Sequence, residues 1–146
     1  MRNGSIQLLI IGAGIVGLTI ARELVEKGLD HIGILEKESD VGYHASGRNS
    51  GVLHAGIYYA PDSFKATSCL RGNLRMQAYC RAKDLPIENT GKVIVARNRS
   101  ELPALHELFR RAQANGAKVD LIDEKELESI EPNAKTFEQA IYSHYT

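Results

Sequence analysis

The first 36 residues alternate between apolar runs and one amphipathic segment. "IQLLII" (Ile6–Ile11) is rich in branched apolar residues, which is typical of a strand buried on both faces of a parallel sheet. "LTIARELVEKG" (Leu18–Gly28) has the pattern of an amphipathic helix ended by a glycine, and "HIGIL" (His31–Leu35) is a second apolar strand. The inward face of the helix is predicted to carry Leu18, Ala21, Leu24 and Val25. The pattern therefore predicts a strand–helix–strand unit.

The rest of the chain changes period several times. Residues 37–59 show no regular period and predict a loop, whereas residues 63–83 predict a helix. That helix is predicted to bury Leu70, Leu74, Met76, Ala78 and Tyr79. The later elements are predicted as a strand over Gly91–Ala96, a helix over Glu101–Asn115 capped by Ser100, a strand over Lys118–Asp123, a short helix over Glu124–Ile130 capped by Asp123, and a strand that begins at Ala140. The predicted fold class is α/β, with a Rossmann-like unit followed by part of a mixed α+β region.

The composition narrows the class of protein. The 146 residues suit one domain, and 43% hydrophobic residues are enough for a core. Eighteen basic and eighteen acidic residues give a net charge of zero, which argues against nucleic-acid binding. Cys69 and Cys80 are too few for a disulfide scaffold and are expected to be reduced. The apolar segment Leu8–Ala21 has no cleavage site and is too short to span a bilayer, so we expect a cytoplasmic protein.

The glycine spacing in "GAGIVG" is the first chemical signature. Gly12 permits a tight turn, Gly14 lets a pyrophosphate approach the backbone, and Gly17 lets the helix pack close to the sheet. Helix N-terminal amides then face the phosphates. The predicted cofactor-binding turn comprises Gly12, Ala13, Gly14, Ile15, Val16 and Gly17. Glu36 follows Gly17 by nineteen residues, the spacing of a carboxylate that binds the adenosine ribose. The motif alone fits both FAD and NAD, because both carry an ADP half.

A second segment distinguishes these cofactors. "SGRNSGVLHAGIYY" (Ser46–Tyr59), supported by "KATSCLRGN" and "GKVIVA", resembles the beginning of the L-2-hydroxyglutarate oxidases and dehydrogenases. These are FAD enzymes of the D-amino-acid-oxidase (glycine-oxidase-like) superfamily, and the resemblance covers essentially the whole chain. It implies FAD as the cofactor. Because a lone strand–helix–strand unit covers little sheet, we expect the N-terminal part of a longer protein. Residues 1–90 are predicted to belong to the FAD-binding domain, and residues 91–146 to begin the substrate domain.

The resemblance also implies which residues line the cofactor. The predicted residues along the pyrophosphate and flavin are Ser46, Gly47, Arg48, Asn49, Ser50 and Gly51, with Lys37 beside Glu36 as a further contact. Glycines permit close backbone approach, and Arg48 can complement a phosphate or a substrate carboxylate. A surface ion pair for Arg48 stays open as the alternative.

Two positions are implied on the substrate side of the flavin. His54 would come close to the isoalloxazine and is the candidate catalytic residue, while a hydrogen-bonded structural role stays open. Tyr58 or Tyr59 would border the substrate cavity, and packing is the alternative for both. No spacing of histidine, cysteine and aspartate predicts a metal site.

The implied activity is FAD-dependent oxidation of a 2-hydroxy acid, with L-2-hydroxyglutarate and its product 2-oxoglutarate as the specific expectation. An amino-acid or glycerol-3-phosphate oxidoreductase, an inactive N-terminal fragment and an NAD-binding domain are the alternatives. Oxygen and a membrane quinone both stay open as the electron acceptor. Peripheral association with the inner membrane is therefore an alternative to a free cytoplasmic protein.

Overall fold

The computed structural model describes residues 5–146 and opens with the predicted strand–helix–strand unit. β1 (Leu8–Ile11) and β2 (Ile32–Leu35) pair in parallel, and α1 (Ile15–Glu26) connects them. This first unit ends at Gly51. The prediction of an α/β fold that begins with a Rossmann-like unit is confirmed.

The first strand is covered on one face. Leu8 and Ile10 are half-buried, whereas Leu9 and Ile11 are 53% and 81% exposed. Successive side chains of a strand point to opposite faces, and α1 is the one helix among the described residues of this unit. The predicted burial of β1 on both faces is therefore wrong for the described chain.

The inward face of α1 is narrower than predicted. Ala21 is buried, and Leu18 and Leu24 are half-buried, but Val25 is exposed. Val25 follows Ala21 by four residues and lies on nearly the same side of the helix, but it is in the last turn of α1 and is 59% exposed. Val25 is therefore not part of the buried face of α1 that the sequence predicted.

The second unit, Val52–Thr146, contains a three-stranded sheet. Its elements are α2 (Phe64–Ala82), β3 (Lys92–Val95), a 3₁₀ turn (Arg99–Glu101), α3 (Leu102–Ala114), β4 (Val119–Asp123), α4 (Glu124–Ile130) and β5 (Gln139–Ser143). The strand order is β3-β5-β4, and both pairings are antiparallel. This is the predicted mixed α+β region. The compact units divide at residues 51/52, while the predicted domain boundary at residues 90/91 stays a prediction.

The core of the second unit lies between this sheet and α3. Ile141 in the central strand is fully buried, and Leu105 and Ala112 of α3 are buried against it in one apolar cluster. Burying an aliphatic side chain of the size of isoleucine or leucine stabilises a fold by roughly 1.5–3 kcal/mol. Ala55 and Ile57 belong to the same cluster, so the loop after the first unit is packed into the second unit.

The buried face of α2 differs from the prediction. Leu74 is 52% exposed, and Met76 and Ala78 are exposed as well. The buried residues of this helix are Ala66, Asn73 and Gln77, while Leu70 and Tyr79 are half-buried. The apolar pattern predicted the wrong buried face of α2. Two amide side chains, those of Asn73 and Gln77, occupy the inward positions because they form hydrogen bonds there.

One of the two predicted helix N-caps is confirmed. Asp123 caps α4 as predicted and forms a capping box with Glu126. At the start of α2, where no cap was predicted, the Ser63 hydroxyl accepts the Ala66 amide at 3.1 Å. The predicted cap at Ser100 is wrong. Asn98 accepts the Ser100 amide instead, because a 3₁₀ turn precedes α3 and moves the cap two residues towards the N-terminus.

Candidate functional site

The glycine turn between β1 and α1 has no room for a side chain at the point where Gly17 approaches the backbone of Gly12. A β-carbon on Gly17 would lie 2.0 Å from the carbonyl oxygen of Gly12. Gly12 has a φ of +102°, and its amide donates to the carbonyl of Leu35 at 2.7 Å. At Gly14 a β-carbon would lie 3.2 Å from the Ser46 hydroxyl oxygen. The three glycines therefore bring two backbone segments into direct contact, as the motif predicts.

The N-terminus of α1 presents amide donors beside this turn. The first helical hydrogen bond runs from the Leu18 amide to the Gly14 carbonyl at 3.0 Å, so the preceding amides lie outside the helical ladder. The amide of Ile15 donates to the Ser46 hydroxyl at 2.9 Å. The amides of Val16 and Gly17 have no acceptor among the described residues. Such donors, together with the helix dipole, fit the negative charge of a pyrophosphate.

The carboxylate of Glu36 is fixed against the same turn. One of its oxygens accepts the Ala13 amide at 2.7 Å, and the other accepts the Glu38 amide at 3.0 Å. These amides, that of Ala13 first, lower the pKa of Glu36 below its usual value. The group is therefore ionised at neutral pH. Each oxygen retains a lone pair for a further donor, so the carboxylate fits the hydroxyl groups of an adenosine ribose.

The loop after β2 closes over the turn. The amide of Gly42 donates to the Ala13 carbonyl at 2.9 Å, which ties the loop to the glycine motif. A β-carbon on Gly47 would lie 2.5 Å from the Gly42 carbonyl oxygen, so this position also excludes a side chain. Ser46 reaches the start of α1 from this loop. Within the first unit, the structure thus brings the predicted residues Gly12–Gly17, Glu36 and Ser46 together.

Two other predicted residues of this loop contact neighbouring residues of the first unit. The amide nitrogen of Asn49 donates to the Ser46 carbonyl at 2.8 Å, and its oxygen accepts the Gly51 amide at 2.8 Å. Asn49 therefore shapes the turn that carries Ser46. The guanidinium of Arg48 lies 4.9 Å from the centroid of the Tyr43 ring. Ser50 is exposed.

Lys37 points to a neighbouring acid rather than to the glycine turn. Its ammonium lies 3.3 Å from a carboxylate oxygen of Glu38. The same oxygen lies 2.8 Å from Nε2 of His44. Both contacts are solvent-accessible, so they add little to stability.

The segment Leu53–Tyr59 lies in the second unit and is held by a buried amide. Asn73, which is 2% exposed, donates to the carbonyls of Leu53 at 2.9 Å and Tyr145 at 2.8 Å. Gln77 donates to Asn73 at 2.7 Å, and Arg81 donates to Gln77 at 2.9 Å. This row of side chains on α2 fixes the backbone around His54.

The side chain of His54 is exposed, and its ring has no hydrogen-bond partner among the described residues. Only its carbonyl is engaged, by Asn73 at 3.3 Å and by the Cys69 thiol at 3.3 Å. Cys69 and Cys80 are free thiols, as expected. The ring of His54 is thus available to a ligand, while its backbone is fixed.

Two further residues hold the tip of this segment. Asn115, at the end of α3, donates to the carbonyls of Gly56 and Tyr59, both at 3.0 Å. Lys92, at the start of β3, donates to the Tyr58 hydroxyl at 2.6 Å.

The sequence did not predict that Asn73, Lys92 and Asn115 form hydrogen bonds to the segment Leu53–Tyr59. A signal was present for two of them, because Asn73 ends "KATSCLRGN" and Lys92 lies in "GKVIVA". For Asn115 the sequence offered only a position next to a helix-ending glycine.

Two further features are absent from residues 5–146. These residues contain no group of three or more histidine, cysteine, aspartate or glutamate side chains arranged to hold a metal ion. None of the helices in this range has the length and apolar character needed to cross a bilayer.

Comparison with known proteins relates nearly the whole chain to one family. A family model described as "FAD dependent oxidoreductase" matches residues 7–146. The mitochondrial L-2-hydroxyglutarate dehydrogenase of Caenorhabditis briggsae is 44% identical over 141 residues, which are 95% of this chain and 32% of that protein. The L-2-hydroxyglutarate dehydrogenase of an Escherichia coli strain is 42% identical over 125 residues, or 85% of this chain and 30% of that protein. The chain spans about a third of the length of these curated relatives.

Solved structures share the fold at lower identity. Glycine oxidase from Geobacillus kaustophilus aligns with a TM-score of 0.80 at 23% identity, covering 94% of this chain and 39% of that one. The L-α-glycerophosphate oxidase of Mycoplasma pneumoniae, solved with FAD bound, aligns with a TM-score of 0.78 at 25% identity, covering 94% of this chain and 37% of that one.

Proposed function

Because the chain belongs to the family of FAD-dependent oxidoreductases, we propose that the protein oxidises a 2-hydroxy acid, with L-2-hydroxyglutarate as substrate and 2-oxoglutarate as product. The observation that carries this proposal is the 44% identity to an L-2-hydroxyglutarate dehydrogenase over 95% of the chain. Identity to glycine oxidase and glycerophosphate oxidase is 23% and 25% over similar stretches. The sequence therefore favours the 2-hydroxy acid over an amino acid or glycerol 3-phosphate.

The residues of the first unit fit the ADP half of FAD. In the proposal, the amides of Val16 and Gly17 bind the pyrophosphate, which can approach closely because Gly14 has no side chain. Glu36 accepts hydrogen bonds from the ribose hydroxyls while Ala13 and Glu38 hold it in place. The remaining proposed cofactor contacts are Gly12, Ile15, Lys37, Ser46, Gly47, Arg48, Asn49, Ser50 and Gly51.

FAD supplies the electron sink for oxidation of the carbon that carries the hydroxyl group. The proposed task of this chain is to bind and orient that cofactor and to hold the acid substrate. His54 is the proposed catalytic residue, because its ring is exposed and has no partner among the described residues while its backbone is fixed by Asn73. A histidine ring within reach of a substrate hydroxyl can act as a general base.

The proposal is tested by anaerobic titration of the purified flavoprotein. L-2-Hydroxyglutarate should bleach the flavin absorbance, whereas D-2-hydroxyglutarate, glycine and glycerol 3-phosphate should leave it unchanged. The variant His54→Asn should retain its flavin and bleach more slowly, by about 10²–10⁴-fold for a lost general base. Bleaching by one of the other compounds would assign the alternative oxidoreductase, and a flavoprotein that no compound bleaches would contradict the activity.

The same preparation addresses the electron acceptor, for which oxygen and a membrane quinone are both proposed. Admitting air after bleaching measures re-oxidation by oxygen, and a soluble quinone added without air measures the other route. Faster re-oxidation by quinone would favour the proposed peripheral membrane location over a free cytoplasmic one, and cell fractionation checks it.

A further inference from the structure

Lys92 differs from the other lysines of the described chain. It is half-buried at the start of β3, whereas every other described lysine is exposed. Its ammonium donates to the Tyr58 hydroxyl at 2.6 Å and lies 4.6 Å from the centroid of the Tyr58 ring. The Tyr58 side chain is exposed, so a ligand can reach the pair from solvent.

The positive charge of Lys92 is not neutralised within residues 5–146, because no described carboxylate forms an ion pair with it. Four arginines of the second unit do have such partners, in the pairs Arg97–Glu101, Arg99–Glu138, Arg110–Glu107 and Arg111–Glu107. An ammonium carries three N–H donors, and Tyr58 takes one of them. Partial burial of an unpaired charge is unfavourable, and a bound anion would offset that cost.

The hydrogen bond to Lys92 also directs the proton of Tyr58. An ammonium can only donate, so the phenol oxygen must accept. The O–H of Tyr58 is thereby left to donate to another group, and no described residue accepts it. The pair therefore offers an anion two kinds of donor at adjacent positions, an ammonium and a phenol.

The backbone around this pair is fixed before any ligand binds. Asn115 holds the carbonyls of Gly56 and Tyr59, one on either side of Tyr58 in the chain. Ile57 is buried in the core cluster of the second unit. A pre-organised pair of donors binds an anion with less loss of conformational entropy than a mobile pair.

We infer that Lys92 and the Tyr58 hydroxyl form a subsite for one carboxylate of the acid substrate. The inference rests on the proposed function, whose substrate carries two ionised carboxylates at neutral pH. Lys92 donates to one oxygen of the bound carboxylate, and the O–H of Tyr58 donates to the other. Lys92 is thereby a residue that selects for acids over neutral analogues.

The test is binding of glutarate, which lacks the reacting hydroxyl, to the flavin-loaded protein by calorimetry. Lys92→Met should weaken glutarate binding by about 10- to 100-fold, as expected for a lost charged hydrogen bond, and Tyr58→Phe by about 3- to 10-fold. Lys92→Arg should restore part of the affinity. The matched control is Lys118→Met, because Lys118 also faces a tyrosine ring, that of Tyr145 at 5.9 Å, but is exposed.

Glutaramide, the neutral diamide, separates charge recognition from folding. The wild type should prefer glutarate, and Lys92→Met should lose that preference, whereas a purely structural role would weaken both ligands alike. Equal glutarate affinity in Lys92→Met and Lys118→Met would overturn the subsite, as would a wild type that does not bind glutarate. If Lys92→Met fails to fold, Tyr58→Phe is compared with Lys118→Met instead, and equal glutarate affinity in these two variants would overturn the subsite.

The subsite and the proposed function fail in different ways. Lys92-dependent glutarate binding without flavin bleaching by L-2-hydroxyglutarate supports the subsite and refutes the substrate. Bleaching by L-2-hydroxyglutarate with Lys92-independent binding supports the function and overturns the subsite.

Discussion

At the residue scale, the first unit depends on positions where a side chain is absent. A β-carbon on Gly17 would overlap the carbonyl oxygen of Gly12, which lies 2.0 Å away. That carbonyl belongs to the turn whose neighbouring amide, on Ala13, holds the carboxylate of Glu36. A change at Gly17 therefore disturbs both the helix start and the proposed ribose ligand.

We predict that Gly17→Ala destabilises the protein and lowers its flavin content. The clash is with backbone, which cannot move aside as a flexible side chain would, so the cost should reach the roughly 1–3 kcal/mol typical of overpacking. Urea denaturation gives the change in unfolding free energy, and the absorbance ratio of flavin to protein gives the cofactor content.

Gly72 provides the matched control for this substitution. It lies inside α2, and a β-carbon there would meet nothing within 4 Å. Gly72→Ala should leave the flavin content unchanged and raise stability by about 0.5–1 kcal/mol through helix propensity. Equal flavin content in Gly17→Ala and Gly72→Ala would refute the role given to the glycine turn.

At the element scale, α2 acts through its amides more than through its apolar side chains. Asn73 connects this helix to the segment around His54 and to Tyr145 near the end of the described chain. Gln77 and Arg81 extend the same row of hydrogen bonds along the helix. The helix thereby fixes the loop that carries the candidate catalytic histidine.

We predict that Asn73→Leu destabilises the protein by about 2–5 kcal/mol, because it leaves several buried polar groups without partners. Leu74→Ala on the same helix should change stability by less than about 0.5–1 kcal/mol, since Leu74 is largely exposed and alanine favours helix. Thermal or urea denaturation measures both. A larger loss of stability in Leu74→Ala than in Asn73→Leu would contradict this account and support the apolar face that the sequence predicted.

The sequence was informative where the determinants are local. The glycine turn and the cap at Asp123 each depend on residues within a few positions, and both were predicted. Asn73, Lys92 and Asn115 were missed because their partners are remote in sequence. The bonds from Asn73 to Tyr145, from Asn115 to Gly56 and from Lys92 to Tyr58 span 72, 59 and 34 residues. Hydrophobic periodicity carries no information about such pairs.

At the scale of the whole molecule, the two units differ in architecture. The first has a parallel pair of strands joined by a helix, and the second has an antiparallel sheet covered by α3. The family match extends over both, from residue 7 to residue 146. In the proposed division of work, the first unit binds the ADP half of the cofactor, and the second presents His54, Tyr58 and Lys92 to the substrate.

The central claim is that the ADP half of FAD lies on the glycine turn of the first unit, and a crystal structure of the protein with FAD bound tests it most directly. We predict pyrophosphate oxygens within hydrogen-bond distance of the amides of Val16 and Gly17, and a ribose hydroxyl donating to Glu36. An ADP half that contacts neither residues 12–17 nor Glu36 would contradict the account.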